Sequence, residues 1–243
     1  MAQGLFLAGD VMLALYTSGV VGPYSDPINA SELVLNQPAA DVKTRPSHGK
    51  SNYGTTLGSV SLPKAEELSL KFDEASASLL ALALRGSAST FTQTSAAAQA
   101  FSITAKLGYW VKLPFYPITA ASVTVSGKTE GVDFSINYDA GLFKALPGGS
   151  IADGATVAGT ASREAISGSV ISGGIVSSVT AALLLDGVNK DTGKRCRLEI
   201  DKVELAAEGD RNMIAEDYLS TSLKGTIILL SGASEPYRYR EFT

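Results

Sequence analysis

The sequence predicts an all-β fold with one α-helix, arranged as a β-sandwich or barrel. Apolar residues make up 45% of the 243 residues, which is enough for a hydrophobic core. The low share of charged residues, 18%, and the 24 glycines favour β structure with many turns. Apolar and polar residues alternate in segments spaced at roughly the 8–12 residues typical of such folds. Only residues 75–85 change to an Ala/Leu-rich helical composition. We therefore predict a single domain over residues 1–243.

Charge and cysteine content narrow the classes of function. The net charge of −4 and the pI of about 5.1 argue against tight binding of a phosphate backbone, which needs clustered lysines and arginines. No uninterrupted apolar run approaches the ~20 residues of a membrane-spanning helix, so we expect no membrane association. Cys196 is the only cysteine, and its position in a strand pattern favours a buried apolar side chain. Because a single cysteine cannot form an internal disulfide, nothing in the sequence points to an oxidising compartment.

The first strand pattern covers residues 11–16 and ends at the turn residues Ser18 and Gly19. A short strand pattern at residues 31–36 is followed by residues 37–62, which are polar and rich in turn residues. At this length the segment is either a mobile binding loop or an arm that orders against a partner subunit. Its candidate contact residues are Lys43, Arg45, His48, Lys50 and Tyr53.

A strand at residues 66–72 leads into the predicted helix. Apolar residues alternate along the strand and place Leu68, Leu70 and Phe72 on one face. Asp73 is predicted as the N-cap, and Gly86 stands where a C-cap glycine belongs. The sequence therefore predicts about three helical turns over residues 75–85.

Shorter strand patterns follow the helix, and Gly/Ser-rich residues 161–177 are weakly patterned. Trp110, the only tryptophan, lies in an apolar strand pattern, which speaks against a carbohydrate-binding sandwich with exposed aromatic rings. These patterns cover residues 109–113, 122–126, 132–138, 142–146 and 156–160.

Residues 183–230 carry the most regular pattern and predict three strands joined by two turns. The first turn is assigned to Asp186-Gly187 together with Thr192-Gly193. In the next strand the alternation slips at Asp201-Lys202, because Val203 and Leu205 take over the apolar phase that Cys196, Leu198 and Ile200 began. One extra residue of this kind predicts a β-bulge.

Patterns that carry catalysis or metal binding are absent from the sequence. There is no glycine-rich phosphate loop, no dinucleotide fingerprint and no nucleophile elbow. The only histidine, His48, cannot complete a His/Cys zinc site with a single cysteine. Asp186, Asn189 and Asp191 miss the spacing of an EF-hand and suit a turn. We therefore expect no enzymatic activity, no cofactor and no metal.

The C-terminal segment, residues 235–243, alternates tyrosine and arginine. Such a segment could stack on nucleic-acid bases, but an arm that docks on a neighbouring subunit is the favoured interpretation. Its contact residues are Tyr237, Arg238, Tyr239 and Arg240.

Four stretches in a particular order carry a resemblance to a known family. They are LSLKFDEASASLLALALRG (68–86), VDFSINYDAGLFKALPGGSIADGATVAGT (132–160), LLLDGVNKDTGKRCRLEIDKVELAAEG (183–209) and DYLSTSLKGTIILL (217–230). Together they cover about a third of the chain. Each motif alone is strand-and-turn chemistry, and their order is the specific part. In this respect the chain resembles the major tail (tail tube) proteins of long-tailed bacteriophages with non-contractile tails.

The resemblance implies a β-sandwich with one packed helix that forms hexameric rings. Rings of this kind stack into a tube through which double-stranded genomic DNA passes without specific binding, and the long loop at residues 37–62 reaches towards the next ring. The implied partners are further copies of the chain and the tape measure, tail terminator and tail-tip proteins. The implied location is the phage tail of the virion, assembled in the host cytoplasm.

Two polar strand faces are candidates for the wall of the channel, or else are ordinary solvent faces of a sandwich. A lumen for DNA is expected to be weakly anionic, so that phosphates pass without binding. The candidate lumen-lining residues are Glu67, Ser69, Lys71, Asp73, Glu199 and Asp201. Two alternatives to a tube subunit are a tail-completion or secretion-tube ring protein of the same fold and, in a different class, the carbohydrate-binding sandwich.

Overall fold

The computed structural model describes residues 4–74, 76–214, 216 and 218–242. Strands account for 54% of it and helix for 3%, which confirms the predicted all-β class with one helix. The chain divides into two compact units, one made of Met1–Ala88 with Ile171–Thr243 and the other of Ser89–Val170. The single-domain prediction did not anticipate that the middle of the chain builds a core of its own.

Within the described residues, eighteen strands and one helix follow one another. In order they are β1 (Leu7–Thr17), β2 (Val20–Tyr24), β3 (Ala30–Asn36), β4 (Asp41–Pro46), β5 (Thr56–Leu62), β6 (Glu67–Phe72), α1 (Ala77–Ala83), β7 (Ser87–Gln93), β8 (Ala96–Thr104), β9 (Trp110–Lys112), β10 (Thr124–Val125), β11 (Phe134–Asn137), β12 (Leu142–Ala145), β13 (Thr156–Arg163), β14 (Ile166–Ser172), β15 (Val179–Asn189), β16 (Arg195–Glu208), β17 (Thr221–Ile227) and β18 (Tyr237–Glu241).

The first unit is organised around one antiparallel sheet, which we call the main sheet. Its strand order is β2-β1-β15-β16-β17-β6-β3, and β18 pairs with β16 as well. An isolated bridge between Val11 and Ile28 connects β1 to the segment just before β3, so the sheet curls around its apolar side. That side packs the first core, to which β1, β6, β15, β16 and β17 contribute fully buried Val, Leu, Ile and Phe side chains.

The predicted β-bulge at Asp201-Lys202 is confirmed. On β15, Ala181 pairs with Val203 and Leu183 with Ile200, so one extra residue of β16 is inserted between these pairs. The side chains of Ile200 and Val203 are both buried, as the slipped alternation predicted. β16 also changes its other neighbour here, because its first half pairs with β18 and its second half with β17.

The predicted turn at Asp186-Gly187 is wrong, because both residues lie within β15. The chain turns only after Asn189, and the amide of Gly193 donates to the carbonyl of Asn189. Gly187 is opposite Gly9 on β1, and a Cβ added to Gly9 would lie 2.5 Å from the Gly187 Cα. A glycine pair inside a strand therefore marks a close approach of two backbones here rather than a turn.

The helix is shorter than predicted and begins at a different cap. Ser76, not Asp73, is the N-cap, and its hydroxyl accepts a hydrogen bond from the amide of Leu79. The helix ends in a Schellman arrangement in which the amide of Gly86 donates to Ala81 and Arg85 has the left-handed φ of 51°. Asp73 instead accepts a hydrogen bond from the Asn29 side chain. Among the described residues, no helix is long and apolar enough to cross a membrane.

The second unit contains two three-stranded sheets, β10-β13-β8 and β11-β12-β9. The rings of Phe101 from one sheet and Phe143 from the other lie 6.5 Å apart, and Phe134 stacks on Phe143 at 5.1 Å. The two sheets therefore share one apolar core. β7 precedes the strands of these two sheets in the chain and β14 follows them. The two strands pair with each other in a separate two-stranded sheet.

Candidate functional site

The outward side of the main sheet, opposite its core, forms one polar surface, which we call the polar face. On β6 the residues of this side are Glu67, Ser69 and Lys71, and the alternate residues are buried. The register carries the same side onto β17, because Glu67 pairs with Thr226 and Ser69 with Lys224. Glu199 and Asp201 occupy the same side of β16, where their neighbours Leu198 and Ile200 are buried. The two polar strand faces predicted for β6 and β16 therefore lie on one side of the main sheet, while their position towards a lumen stays a prediction.

Every acidic residue predicted for this face on β6 and β16 is paired with a cation. The Glu67 carboxylate forms an ion pair with the Lys224 ammonium at 3.2 Å, and the Asp201 carboxylate forms one with the Arg238 guanidinium at 2.8 Å. Glu199 contacts two guanidinium groups, Arg197 at 2.8 Å and Arg240 at 3.2 Å. The predicted carboxylates of the polar face are therefore neutralised by neighbouring cations and do not form the weakly anionic wall that was expected.

Two of these cations come from the C-terminal segment, which is not the free arm that was expected. Tyr237, Arg238, Tyr239 and Arg240 lie in β18, which pairs with residues 196–200 of its own chain. The two arginines point to the polar face, and the two tyrosines lie over the apolar side with Ile200 and Leu198 as cross-strand neighbours. Strand period explains this outcome, because alternating tyrosine and arginine is also the pattern of a two-sided edge strand.

Two tyrosines cover the centre of the polar face beside the bulge. The Tyr16 hydroxyl donates to the Asp201 carbonyl at 2.9 Å, and the Lys202 ammonium lies 5.9 Å from the centre of the Tyr16 ring. Burial raises the pKa of the Tyr24 hydroxyl, and the nearby carboxylates of Glu199 and Asp201 raise it further. Tyr24 therefore stays protonated at neutral pH and can serve as a hydrogen-bond donor on this face.

The segment predicted as a long loop is a β-hairpin, made of β4 and β5, which we call the exposed hairpin. Asp41 pairs with Leu62 at its base and Arg45 with Gly58 near its end. Every residue of both strands is exposed, so both faces of the ribbon are open. Apolar residues make up part of this exposed surface: Val42, Leu57, Val60 and Leu62.

The end of the exposed hairpin is internally ordered. Ser47 is buried, and its hydroxyl donates to the side-chain oxygen of Asn52 at 2.7 Å. The rings of His48 and Tyr53 meet edge to face at 5.8 Å. Of the predicted contact residues, Lys43 and Arg45 therefore share one face of the ribbon, whereas His48, Lys50 and Tyr53 form its tip.

An apolar groove of about 430 Å³ lies on the core side of the main sheet, and no local sequence pattern indicates it. It forms where the curled sheet leaves a gap between β3 on one side and β1, β15, β16 and β18 on the other. Leu5, at the rim, is 70% exposed. The apolar lining comprises Leu5, Leu7, Leu33, Leu35, Leu185, Leu198, Tyr237 and Tyr239.

Trp110 is placed differently from the prediction. It lies on β9, the edge strand of its sheet, and 46% of its surface is exposed. Its cross-strand neighbour is Lys144, whose ammonium lies 5.5 Å from the centre of the indole ring. The strand pattern was right, but an edge strand of a small sheet has one solvent face, and the sequence could not say on which side the tryptophan lies.

A buried carboxylate holds two loops of the second unit together. Asp133 is 8% exposed and accepts hydrogen bonds from the amides of Thr129 and Ser150 and from the Ser150 hydroxyl. The Ser150 hydroxyl in turn accepts from the Lys128 ammonium at 2.6 Å. These bonds, led by that of the Ser150 hydroxyl, lower the pKa of Asp133 to about 2. Across the part of the chain that the structure describes, no group of three or more His, Cys, Asp or Glu side chains is arranged to hold a metal ion.

Comparison with known families matches residues 5–233 to a family model described as protein of unknown function UCP028589. No curated protein matches the chain. The match covers both units and the exposed hairpin, so these features lie within the region that the family model describes.

Proposed function

The chain belongs to the family UCP028589, and we propose that it is a structural subunit of a bacteriophage tail tube, in which hexameric rings stack around a channel for DNA. The proposal starts from the four ordered motifs of the sequence. The geometry adds surfaces that a single copy leaves uncovered.

The exposed hairpin is the observation that carries the proposal. A two-stranded ribbon is at best marginally stable in water, and this one has no sheet or core beneath either face among the described residues. Val60 and Leu62 lie on the same face as Lys43 and Arg45, so one side of the ribbon is both apolar and basic. A ribbon of this kind gains stability when a partner surface covers it, and a second copy of the chain is the partner that the proposal supplies.

The apolar groove offers an acceptor surface of matching character on the same chain. A patch and a different, complementary patch on one molecule make a heterologous contact, which generates a ring if the rotation closes and a filament if it does not. No further described strand pairs with the outer edges of β2 and β3, so these edges provide further sites at which sheets of neighbouring copies could join. Both features favour an assembly of many copies over a monomer.

The polar face suits the wall of a channel. Its carboxylates and cations neutralise each other within the sheet, as Glu199 does with Arg197 and Arg240. Because most cations of the face are held by carboxylates, phosphates are expected to bind it weakly, so that a duplex can pass. In the assembled tail the subunit would contact the tape measure, tail terminator and tail-tip proteins, and its location would be the virion after assembly in the host cytoplasm.

The direct test is electron microscopy of the purified protein under assembly conditions, together with two variants. In the first, residues 42–61 are replaced by Asn-Gly, which closes the base of the hairpin between Asp41 and Leu62. In the second, Val60→Asp changes a single exposed residue of the ribbon, and Val170→Asp on β14 serves as the matched control. Circular dichroism and thermal unfolding establish that each variant folds.

The wild-type protein and the Val170→Asp control are expected to form rings and stacked tubes. The hairpin replacement and Val60→Asp are expected to fold normally but to stop at single rings or unassembled subunits. A wild-type protein that stays monomeric even with a tail initiator present overturns the proposal. Assemblies that end at one ring in the wild type favour the tail-completion or secretion-tube type of ring protein instead.

A further inference from the structure

The outward face of the sheet β11-β12-β9 is the most chemically distinctive surface outside the main sheet. Trp110 and Lys112 share this face of β9, because Val111 between them lies on the opposite side, where its cross-strand neighbour Phe143 is fully buried. Their cross-strand neighbours are Lys144 and Leu142 on β12, which are followed by Ser135 and Asn137 on β11. We call this set the Trp110 face.

The two cations of the Trp110 face, Lys112 and Lys144, have no carboxylate partner among the described residues. The arginines of the polar face and Lys224 are all engaged with carboxylates. Neither Lys112 nor Lys144 forms an ion pair or a hydrogen bond with any described residue, and Lys144 instead lies above the indole ring. The surface therefore keeps two positive charges free beside an exposed aromatic ring, on a protein whose net charge is −4.

The polar atoms of the Trp110 face complete a recognisable set of binding groups. The indole N–H of Trp110 donates to no described residue, and the side chain of Asn137 is exposed at the far side of the face. Adjacent strands lie about 4.8 Å apart, so the three strands span roughly 10 Å. This width suits one or two sugar rings and is small for single-stranded nucleic acid, whose sites extend over about 4–16 nucleotides.

We propose that the Trp110 face binds a saccharide that carries an anionic group, a carboxylate, sulfate or phosphate. The apolar side of a sugar ring lies against the indole ring of Trp110, the ammonium groups of Lys112 and Lys144 pair with the anionic group, and Asn137 bonds to ring hydroxyls. Charge complementarity selects this occupant over a neutral glycan, because two free cations would remain unpaired against a neutral sugar. The site lies within the second unit and does not depend on ring assembly.

Trp110 is the only tryptophan of the chain, so its fluorescence reports directly on this face. The full-length protein is titrated with trigalacturonate, sulfated maltotriose and phosphorylated maltotriose, which separate the three sources of negative charge. Trimethyl trigalacturonate and maltotriose are the neutral counterparts, and oligothymidylate tests a nucleic-acid occupant. The variants are Lys112→Gln and Lys144→Gln, with Lys64→Gln, an exposed lysine of the first unit, as the matched control.

At least one anionic trisaccharide is expected to change the Trp110 emission saturably, and its neutral counterpart is expected to bind at least tenfold more weakly. Lys112→Gln and Lys144→Gln should each weaken binding about tenfold, while Lys64→Gln leaves it unchanged. Equal responses to charged and neutral sugars, tighter binding of oligothymidylate, or no saturable response to any saccharide overturn the proposal. Lys112 is exposed, so its variant keeps the test valid even if Lys144→Gln fails to fold.

Discussion

The Tyr16 hydroxyl donates a 2.9 Å hydrogen bond to the carbonyl oxygen of Asp201, the residue at which β16 bulges. A bulge removes a residue from the regular ladder, so its backbone groups need other partners. The Lys202 carbonyl finds one in the amide of Ile228, and the Asp201 side chain pairs with Arg238. The bulge is thereby held at the point where β16 passes from β18 to β17, and it sets which residues of each half face the core.

Tyr16→Phe removes only the bond to the bulge. We expect this variant to lose about 1 kcal/mol of unfolding free energy, because the Asp201 carbonyl loses the hydroxyl that donates to it. Tyr53→Phe, at the hairpin tip, is the control because that ring is 76% exposed. Urea denaturation of both variants checks the prediction, and equal midpoints would show that the hydroxyl does not support the bulge.

The end of the helix offers a pair of changes with opposite signs. Arg85→Gly should stabilise the first unit by about 1 kcal/mol, because glycine adopts the left-handed conformation of this position without strain. Gly86→Ala should destabilise it, since the added Cβ would lie 2.1 Å from the carbonyl oxygen of Ser172. Thermal unfolding measures both. A destabilising Arg85→Gly would contradict the left-handed conformation assigned to Arg85, and an unchanged stability of Gly86→Ala would contradict the close approach of Gly86 to Ser172.

Asp133 predicts how the second unit responds to acid. Its folded pKa of about 2 lies below the 3.8 of a free aspartate, so its stabilising contribution is present above pH 3.8 and is lost as the pH falls through 3.8 towards 2. Asp133→Asn should destabilise the unit at pH 7, because an amide cannot accept all the bonds from Thr129 and Ser150. It should also flatten the acid limb of the stability profile.

Trp110 fluorescence follows the unfolding of the second unit in these experiments. Asp139→Asn is the control, because Asp139 is exposed and its carboxylate accepts no hydrogen bond from the described residues. An Asp133→Asn variant with the same dependence of stability on pH as the wild type would contradict the assignment.

Cys196 can report whether β18 stays on its own chain. The thiol is fully buried and its strand neighbour is Glu241. Ending the chain after Pro236 removes β18, and the reaction of Cys196 with a thiol reagent should then be roughly ten times faster or more. Ending the chain after Glu241 keeps β18 and should leave the reaction rate of Cys196 nearly unchanged. Equal rates in the two truncated proteins would mean that β18 does not cover this edge.

The polar face can be tested as a channel wall without breaking its ion pairs. Glu67 and Glu199 are poor choices, because replacing either leaves a cation unpaired. Ser69→Lys with Thr226→Lys adds charge at unpaired positions of the face, and Ser69→Gln with Thr226→Gln is the control of similar size. If the proposed tube forms, the lysine variant should retain double-stranded DNA at low salt and release it as salt increases. Equal DNA retention by both variants would contradict the proposal that the polar face lines the lumen.

Strand period by itself determined much of the main sheet. The alternation around Leu68, Leu70 and Phe72 and the slip at Asp201-Lys202 identified the buried side and the bulge, because a side chain of a strand can face only one of two ways. The polar partners of these strands could be assigned to one face for the same reason.

The tertiary structure alone decided which strands become neighbours and which surfaces stay open. β18 pairs with β16 across about forty residues of sequence, and the middle of the chain encloses a core of its own. Such contacts depend on loop closure and packing between distant segments, which local alternation does not encode. Burial is a property of the whole packed chain. For this reason the sequence alone could not predict three surfaces, the exposed hairpin, the apolar groove and the Trp110 face.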